Sequence, residues 1–248
     1  MATTKQRRRQ LAREKWERQQ ARRVAATRQR RMVVAVVAAI VVVAALVFAL
    51  GAWWLPDDEP TAAPGEGVCQ YTETSPVAGV GVPPADPVPA TTATITLDGQ
   101  PVTVDLFAAD APCTVNSLVH LAGLGYFDGT ECHRVTTSPT LRVLQCGSPT
   151  GAGNGGPGYE FGLENVDGAT YPAGTVAMAR RDGEPNSNGS QFFLVYDDSV
   201  LPPEYTVFGQ ITEGLDVITE IADRGTVDGS DDAAPAETVT IDALVAGP

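Results

Sequence analysis

Only two histidines and four cysteines occur among the 248 residues, and one stretch, ECHRVTTSPTLRVLQCG (131–147), gathers half of each around an arginine. Three chemistries are open to it: metal ligation, a covalent staple, or a fixed cation presented to a substrate. Zinc takes three or four ligands, and Cys132 and His133, adjacent on an extended segment, point to opposite faces, so no metal is expected. The chain contains no G-x-S-x-G, H-E-x-x-H or G-x-x-x-x-G-K-[ST] motif, so hydrolytic and phosphate-binding chemistry lack their usual carriers. Arg134 remains, a permanently charged fork of five donors. Beyond residue 90 its only basic companions are Arg142, Arg180, Arg181 and Arg224. A strand arginine is ordinarily a surface residue or an ion-pair partner, and alternation alone leaves open which face Arg134 takes.

The elements that must position it are read from short alternating runs: TATITL (92–97), PVTVDLF (101–107), ECHRVT (131–136), LRVLQCG (141–147), TVAMA (175–179), QFFLVY (191–196), TVFGQI (206–211) and ETVTIDAL (237–244). These predict eight strands. Helical spacing follows Pro112, at Val115, Leu118, Val119 and Ala122, and follows Gly214, at Leu215, Ile218 and Ile221 or Ala222. Most connections are too short for parallel crossovers, so an antiparallel sheet is expected. The fold expected is mainly β: an eight-stranded antiparallel barrel with a helix capping each open end.

Three segments precede this domain, which is read as residues 91–248. Residues 1–31 hold twelve Lys or Arg and two acids, a net charge of +10, while the remainder carries −23. Residues 32–55 contain no charge and end in Trp53 and Trp54. A run of about 20 apolar residues suffices to cross a bilayer, and paired tryptophans suit its interface. The run exceeds a signal-peptide core and has no small-residue cleavage site after it, so an uncleaved anchor is expected. The positive-inside rule then keeps the N-terminus cytoplasmic and places the chain beyond Leu55 outside the cytoplasm. Beside such an anchor the basic lead reads as topogenic, and no nucleic-acid partner is expected. Residues 56–90, with eight prolines, six acids and no Lys or Arg, read as a semi-extended spacer.

Four cysteines in an exported domain favour disulfides. Cys132 and Cys146 lie near the far ends of the hairpin that 131–136 and 141–147 would make. Their pairing leaves Cys69 for Cys113 and folds the end of the spacer onto the domain, although sequence alone permits three connectivities.

NSNGSQFFLVY (186–196) resembles the cyclophilin signature. HRV (133–135), LQCGSPTGAGNGGPG (144–158) and TVAMAR (175–180) precede it and YTVFGQI (205–211) comes after it, all in the order of that family. The similarity runs from Ala93 to about Val245, and APCTVNS with CHR and LQCG resembles membrane-anchored bacterial members. It implies an eight-stranded barrel capped by two helices that isomerises peptidyl-prolyl bonds without a cofactor. Arg134 is implied to be the catalytic arginine, with Gln145 and Gln191 contacting the substrate backbone. Val143, Met178, Phe193, Leu201 and Tyr205 are implied to form the proline pocket and its rim. Ala179 and Arg180 are implied to lie on an edge strand that pairs with the substrate, and Gly153 to Gly156 beside the pocket for the preceding residue. Plain core packing would equally account for the apolar members of this set.

The sequence departs from the family in three places. TTSPTL lengthens the turn after His-Arg and puts Leu141 or Arg142 near the pocket floor, where the family usually has Phe. Val200 stands where many members carry Trp, which weighs against cyclosporin binding. Tyr205 occupies a position often held by His. The expected function is isomerisation of proline-containing exported chains; the alternative is a proline-segment binding module or chaperone with little turnover, and the two separate on turnover.

Overall fold

The computed structural model describes residues 69–247. The basic segment expected at 1–31, the membrane helix expected at 32–55 and the first part of the expected spacer lie outside the described residues. Among the described residues no helix is long and apolar enough to cross a membrane.

Hairpin β2 (Thr92–Leu97) and β3 (Gln100–Leu106) shows how locally the sheet is specified. Ala93, Ile95 and Leu97 alternate inward on one strand and Val102, Val104 and Leu106 on the other. Between them Asp98 and Gly99 both adopt positive φ, 47° and 80°, the twist that a two-residue hairpin turn requires and that an Asp-Gly pair supplies. The remaining strands are β1 (Thr72–Glu73), β4 (Thr130–Glu131), β5 (Arg134–Thr136), β6 (Val143–Cys146), β7 (Tyr159–Glu160), β8 (Thr175–Met178), β9 (Phe192–Val195), β10 (Val207–Glu213), β11 (Asp232–Ala233) and β12 (Thr240–Gly247). Ten of them form one antiparallel sheet in the order β11-β5-β6-β9-β8-β10-β3-β2-β12-β4, and β1 pairs separately with β7.

The expected mainly-β class with two helices is what is seen, but the eight-stranded closed barrel is not. The sheet curls, and its two edges belong to β11 and β4. The single strand expected over 131–136 is two: Thr130–Glu131 pairs with β12, whereas Arg134–Thr136 pairs with β6 and β11. Cys132 and His133 carry the chain from one end of the curled sheet to the other. Cys132 reaches the neighbouring segment through its N–H, 2.9 Å from the Val239 carbonyl.

Helix α1 (Pro112–Gly123) starts with Pro at its first turn, and its N-cap Ala111 offers no side-chain acceptor. The Glu164 carboxylate replaces it, accepting from the N–H groups of Cys113 and Thr114 at 2.9 and 2.8 Å. A carboxylate here also suits the positive end of the helix dipole. Helix α2 (Leu215–Asp223) buries Val217, Ile218, Ile221 and Ala222. Both helices pack into a core of aliphatic residues and edge-to-face rings, Phe127 with Phe192 at 5.9 Å and Phe192 with Phe208 at 6.4 Å.

Strands β6, β8 and β9 read as unbroken apolar runs because both of their faces are covered. Leu144, Cys146, Phe192, Leu194, Val176 and Met178 face the main core. Val143, Ala177, Phe193 and Val195 face a second, smaller cluster that includes Tyr171. That second face carries the candidate site.

Residues 69–90, the end of the expected spacer, lie against the domain. Cys69 is bonded to Cys113, Tyr71 donates its hydroxyl to the Cys113 carbonyl at 2.8 Å, and Asn116 on α1 donates to the Pro84 carbonyl at 2.7 Å. The Tyr71 ring meets Tyr159 and Phe161 edge-on. Burial pushes the Tyr71 hydroxyl up to about 12.

Candidate functional site

Strand register places four residues in one row across the outer face of the sheet: Arg134 opposite Gln145, Gln145 opposite Phe193, and Phe193 opposite Ala177. Directly opposed residues share a face of the sheet, so this row is a consequence of pairing and needs no long-range adjustment. Val143 and Val195, two residues further along their strands, continue the same face. Phe193 and Tyr205 meet edge-on at 5.5 Å, and Tyr171 fixes Tyr205 from behind by donating its hydroxyl to the Tyr205 carbonyl at 3.1 Å.

These groups enclose a cavity of about 160 Å³ lined by Arg134, Leu141, Val143, Gln145, Ala179, Arg180, Phe193, Leu201 and Tyr205. Eight of the ten residues singled out from the sequence are therefore brought together. Gln191 lies just beyond, its Oε1 accepting from Gln145 Nε2 at 3.1 Å. Met178 does not belong: it is buried in the main core opposite Phe192, and its neighbour Ala177 takes the pocket face. Period-two alternation makes the two positions exclusive. Of the two floor residues left open, Leu141 lines the cavity, while Arg142 turns to Asp197 at 3.5 Å. Ala179 and Arg180 follow the end of β8, which lies inside the sheet between β9 and β10 and is not an edge strand.

The guanidinium of Arg134 is held from two sides. Asp232 on β11 takes Nε at 2.6 Å and Nη2 at 2.8 Å, and Gln145 Oε1 accepts from Nη1 at 3.1 Å. Three of five donors are thus engaged, leaving one N–H on each terminal nitrogen. The two ions shift each other in the expected senses: the Asp232 hydrogen bonds push Arg134 above the usual arginine value, and Arg134 holds the Asp232 carboxyl below the usual carboxylate range. Gln145 and Gln191 extend the chain of contacts to the glycine loop, where Gln191 Nε2 donates to the carbonyls of Gly153 and Gly155 at 3.2 and 3.3 Å. Nothing in the sequence singled out Asp232. It lies 98 residues from Arg134, within an acidic run that has no strand periodicity.

Arg180 is engaged differently. Its side chain is only 5% exposed, Nε donates to the Glu204 carbonyl, Nη2 meets the Glu204 carboxylate, and the guanidinium lies 5.2 Å from the Tyr205 ring centroid. It buttresses the pocket wall. His133 packs against Gly153, and burial, reinforced by neighbouring Arg134, holds its pKa below the ordinary histidine value.

A second, larger cavity of about 600 Å³ shares Gln145, Ala179 and Arg180 with the first and is lined further by Gly153 to Gly158, Gln191, Ser187 and Ser190. The two therefore adjoin at Gln145, Ala179 and Arg180, and both mix polar and apolar lining. Among the described residues no group of acidic, His and Cys side chains suits a metal ion. All four described cysteines are paired, Cys69 with Cys113 and Cys132 with Cys146.

The family model described as "Cyclophilin type peptidyl-prolyl cis-trans isomerase/CLD" matches residues 92–245. The chain is 44% identical over 212 residues to the probable peptidyl-prolyl cis-trans isomerase B of Mycobacterium tuberculosis, covering 77% of this chain and 67% of that protein. It is 44% identical over 210 residues to the corresponding protein of Mycobacterium leprae, covering 77% and 70%. The crystal structure of a Cryptosporidium parvum cyclophilin type peptidyl-prolyl cis-trans isomerase in the presence of the dipeptide Ala-Pro superposes with a TM-score of 0.55 at 27% identity, over 63% of this chain and 99% of that one.

Proposed function

This chain belongs to the cyclophilin-type peptidyl-prolyl cis-trans isomerases, and on that premise we propose that it turns over X-Pro bonds in polypeptides exported across a membrane in which residues 32–55 anchor it. It is a peptidyl-prolyl cis-trans isomerase, and enzymes of this class act on proline-containing peptides.

The reading of the site rests on one observation: a guanidinium fixed by Asp232 and Gln145 at the wall of a small cavity lined also by Val143, Phe193 and Leu201. The barrier to rotation, about 20 kcal/mol, comes from delocalisation of the amide nitrogen lone pair into the carbonyl. Twisting the bond localises that pair on nitrogen. In the proposed mechanism the proline ring enters between Phe193, Val143 and Leu201, and a free N–H of Arg134 meets the nitrogen as it pyramidalises. The planar amide offers no such acceptor, so the interaction strengthens only toward the transition state, which is the condition for raising kcat. Because the guanidinium is already held, little reorganisation is needed during the reaction. No covalent step or proton transfer is required.

Placement outside the cytoplasm is supported by the net charge of +10 on residues 1–31, the uncharged run after it, and two disulfides, which persist in oxidising compartments. A turnover assay on short proline peptides tests the chemistry, since the uncatalysed reaction takes about 10–100 s. Binding without acceleration would make the chain a proline-segment binding module. Protease accessibility of the domain in intact cells tests the topology, and protection by the membrane would overturn it.

A further inference from the structure

His133 stands one residue before Arg134, half-buried, where the chain crosses from β4 to β5. One edge of its ring meets the glycine loop: a Cβ built on Gly153, whose φ is +75°, would stand 2.8 Å from Cδ2 and 3.3 Å from Nε2. Only glycine lets the loop come this close. The opposite edge turns inward, where Nδ1 is buried and meets no hydrogen-bonding group among the described residues. With no acceptor there, the neutral ring keeps its proton on Nε2. The same Gly153 begins a relay. Its carbonyl and that of Gly155 accept from Gln191 Nε2 at 3.2 and 3.3 Å, Gln191 Oε1 accepts from Gln145 Nε2 at 3.1 Å, and Gln145 Oε1 accepts from Arg134 Nη1 at 3.1 Å. The circuit closes on the residue next to the histidine.

We propose that His133 is a positioning residue for isomerisation: its neutral ring holds the glycine loop where Gly153 and Gly155 fix Gln191, and so, through Gln145, keeps Arg134 aimed at the cavity, whereas the protonated ring leaves that seat. The proposal rests on the isomerase reading of the site. The backbone of His133 has little room to yield, because Cys132 is bonded to Cys146 and donates its N–H to the Val239 carbonyl, while Arg134 is paired with Gln145. Residues 147–158 belong to no strand, so a displaced ring is felt by the loop. A proton on Nδ1 would place an ionic donor in a buried space with nothing to accept it, a costly arrangement. The ring then favours positions that bring Nδ1 to water, and its other edge withdraws from Gly153. The charged groups around it are few. Arg134 beside it repels the proton, as burial does, and the Asp232 carboxylate answers the Arg134 charge. On β4 the Glu131 side chain lies against Gly151, and the loop itself carries no ionisable side chain. Asp232 is held below the usual carboxylate range, so it stays charged while His133 titrates.

The test is the pH profile of kcat/KM for one short proline peptide, read by NMR exchange on the full chain. Wild-type turnover is expected to fall about tenfold, the scale of one lost hydrogen bond, as the ring takes up its proton below about pH 6.5. His133→Phe keeps a planar ring against Gly153 and takes up no proton, so it should match the wild type at neutral pH and show no acid loss. His133→Ala removes the ring and should be about tenfold slower at every pH. A wild type without acid loss, an acid loss retained by the phenylalanine variant, or an alanine variant as fast as wild type at neutral pH overturns the proposal. If the variants fail to fold, the wild type decides: the side-chain amide signals of Gln145 and Gln191 should shift in step with the His133 imidazole, assigned with His120→Gln, and amides that stay still overturn the relay. That readout needs no turnover, whereas a wild type that turns over no peptide at any pH overturns the isomerase reading instead.

Discussion

The two ends of the cleft are made in opposite ways. The small cavity is floored by side chains from paired strands, so Arg134, Gln145, Phe193 and Ala177 are placed by ladder register. The larger one is walled mostly by loops: a glycine run, the segment after β8 and residues 74–75, held by single hydrogen bonds, ion pairs, the short β1–β7 ladder and a distant disulfide. A sheet fixes its side chains within its own spacing, whereas a loop wall can be altered without disturbing the sheet beneath.

The sharpest way to break this contrast is Arg134→Ala. Turnover should fall about 10²–10³-fold, the cost of removing a preorganised donor, with peptide affinity nearly unchanged. Wild-type turnover in a folded variant would refute its role. Replacing Cys132 and Cys146 together by alanine should lower stability by about 3 kcal/mol for a loop of roughly 15 residues in the chain-entropy model, measurable by urea unfolding. The hairpin that carries Arg134 should loosen first in hydrogen exchange, ahead of residues 69–77.

A smaller effect is expected at Asp232. Asp232→Asn keeps the shape but not the ionic grip, and should lower kcat by about tenfold, in line with one charge-assisted hydrogen bond. In the Arg134→Ala background the same change should cost nothing further, and an additive loss would show that Asp232 acts by another route. The smallest expected effect is a pH dependence. His133 has a folded pKa below its unfolded value, so the unfolded state binds the proton first as pH falls. Stability should be full above about pH 6.5 and decline as pH drops below that value toward the folded pKa. His133→Gln should flatten this part of the profile in denaturant titrations at successive pH values.

The strands could be read in the sequence because their signals are periodic, whereas the small cavity was legible only through the resemblance to the cyclophilin signature, since alternation alone leaves the face of Arg134 open. TATITL became β2 residue for residue, and NGSQFF put Gln191 and Phe193 beside Gln145. Met178 was misplaced because an apolar run buried on both faces does not declare which parity faces the pocket. Asp232 escaped notice for a different reason: one acid among many carries no pattern. A weaker signal was available in the charge count, since five arginines in an acidic domain rarely stay unpaired. Each does meet a carboxylate: Asp232, Asp197, Glu204, Glu160 with Glu184, and Glu237. Residues 69–90 are the least legible part, for their prolines and acids match those of a free linker and only the pairing of Cys69 points inward. Likewise the split of 131–136 into two strands depends on where each half finds a partner, which composition does not encode.

The Cys69–Cys113 bond also determines how the molecule bears tension. A pull on the chain from its N-terminal side reaches Cys69 and passes straight through the sulfur link into the first turn of α1. Everything between, β1 and the β2–β3 hairpin included, sits in a covalently closed loop that carries none of the load. With the bond reduced, the same pull would first load the Cys69 N–H bond to the Ala85 carbonyl and the Tyr71 contacts, and then unzip the two-residue ladder of β1 from β7. A force-clamp trace should therefore show an early, low-force extension only under reducing conditions, with the Thr74 and Ser75 side of the larger cavity lost well before the sheet that carries Arg134 yields.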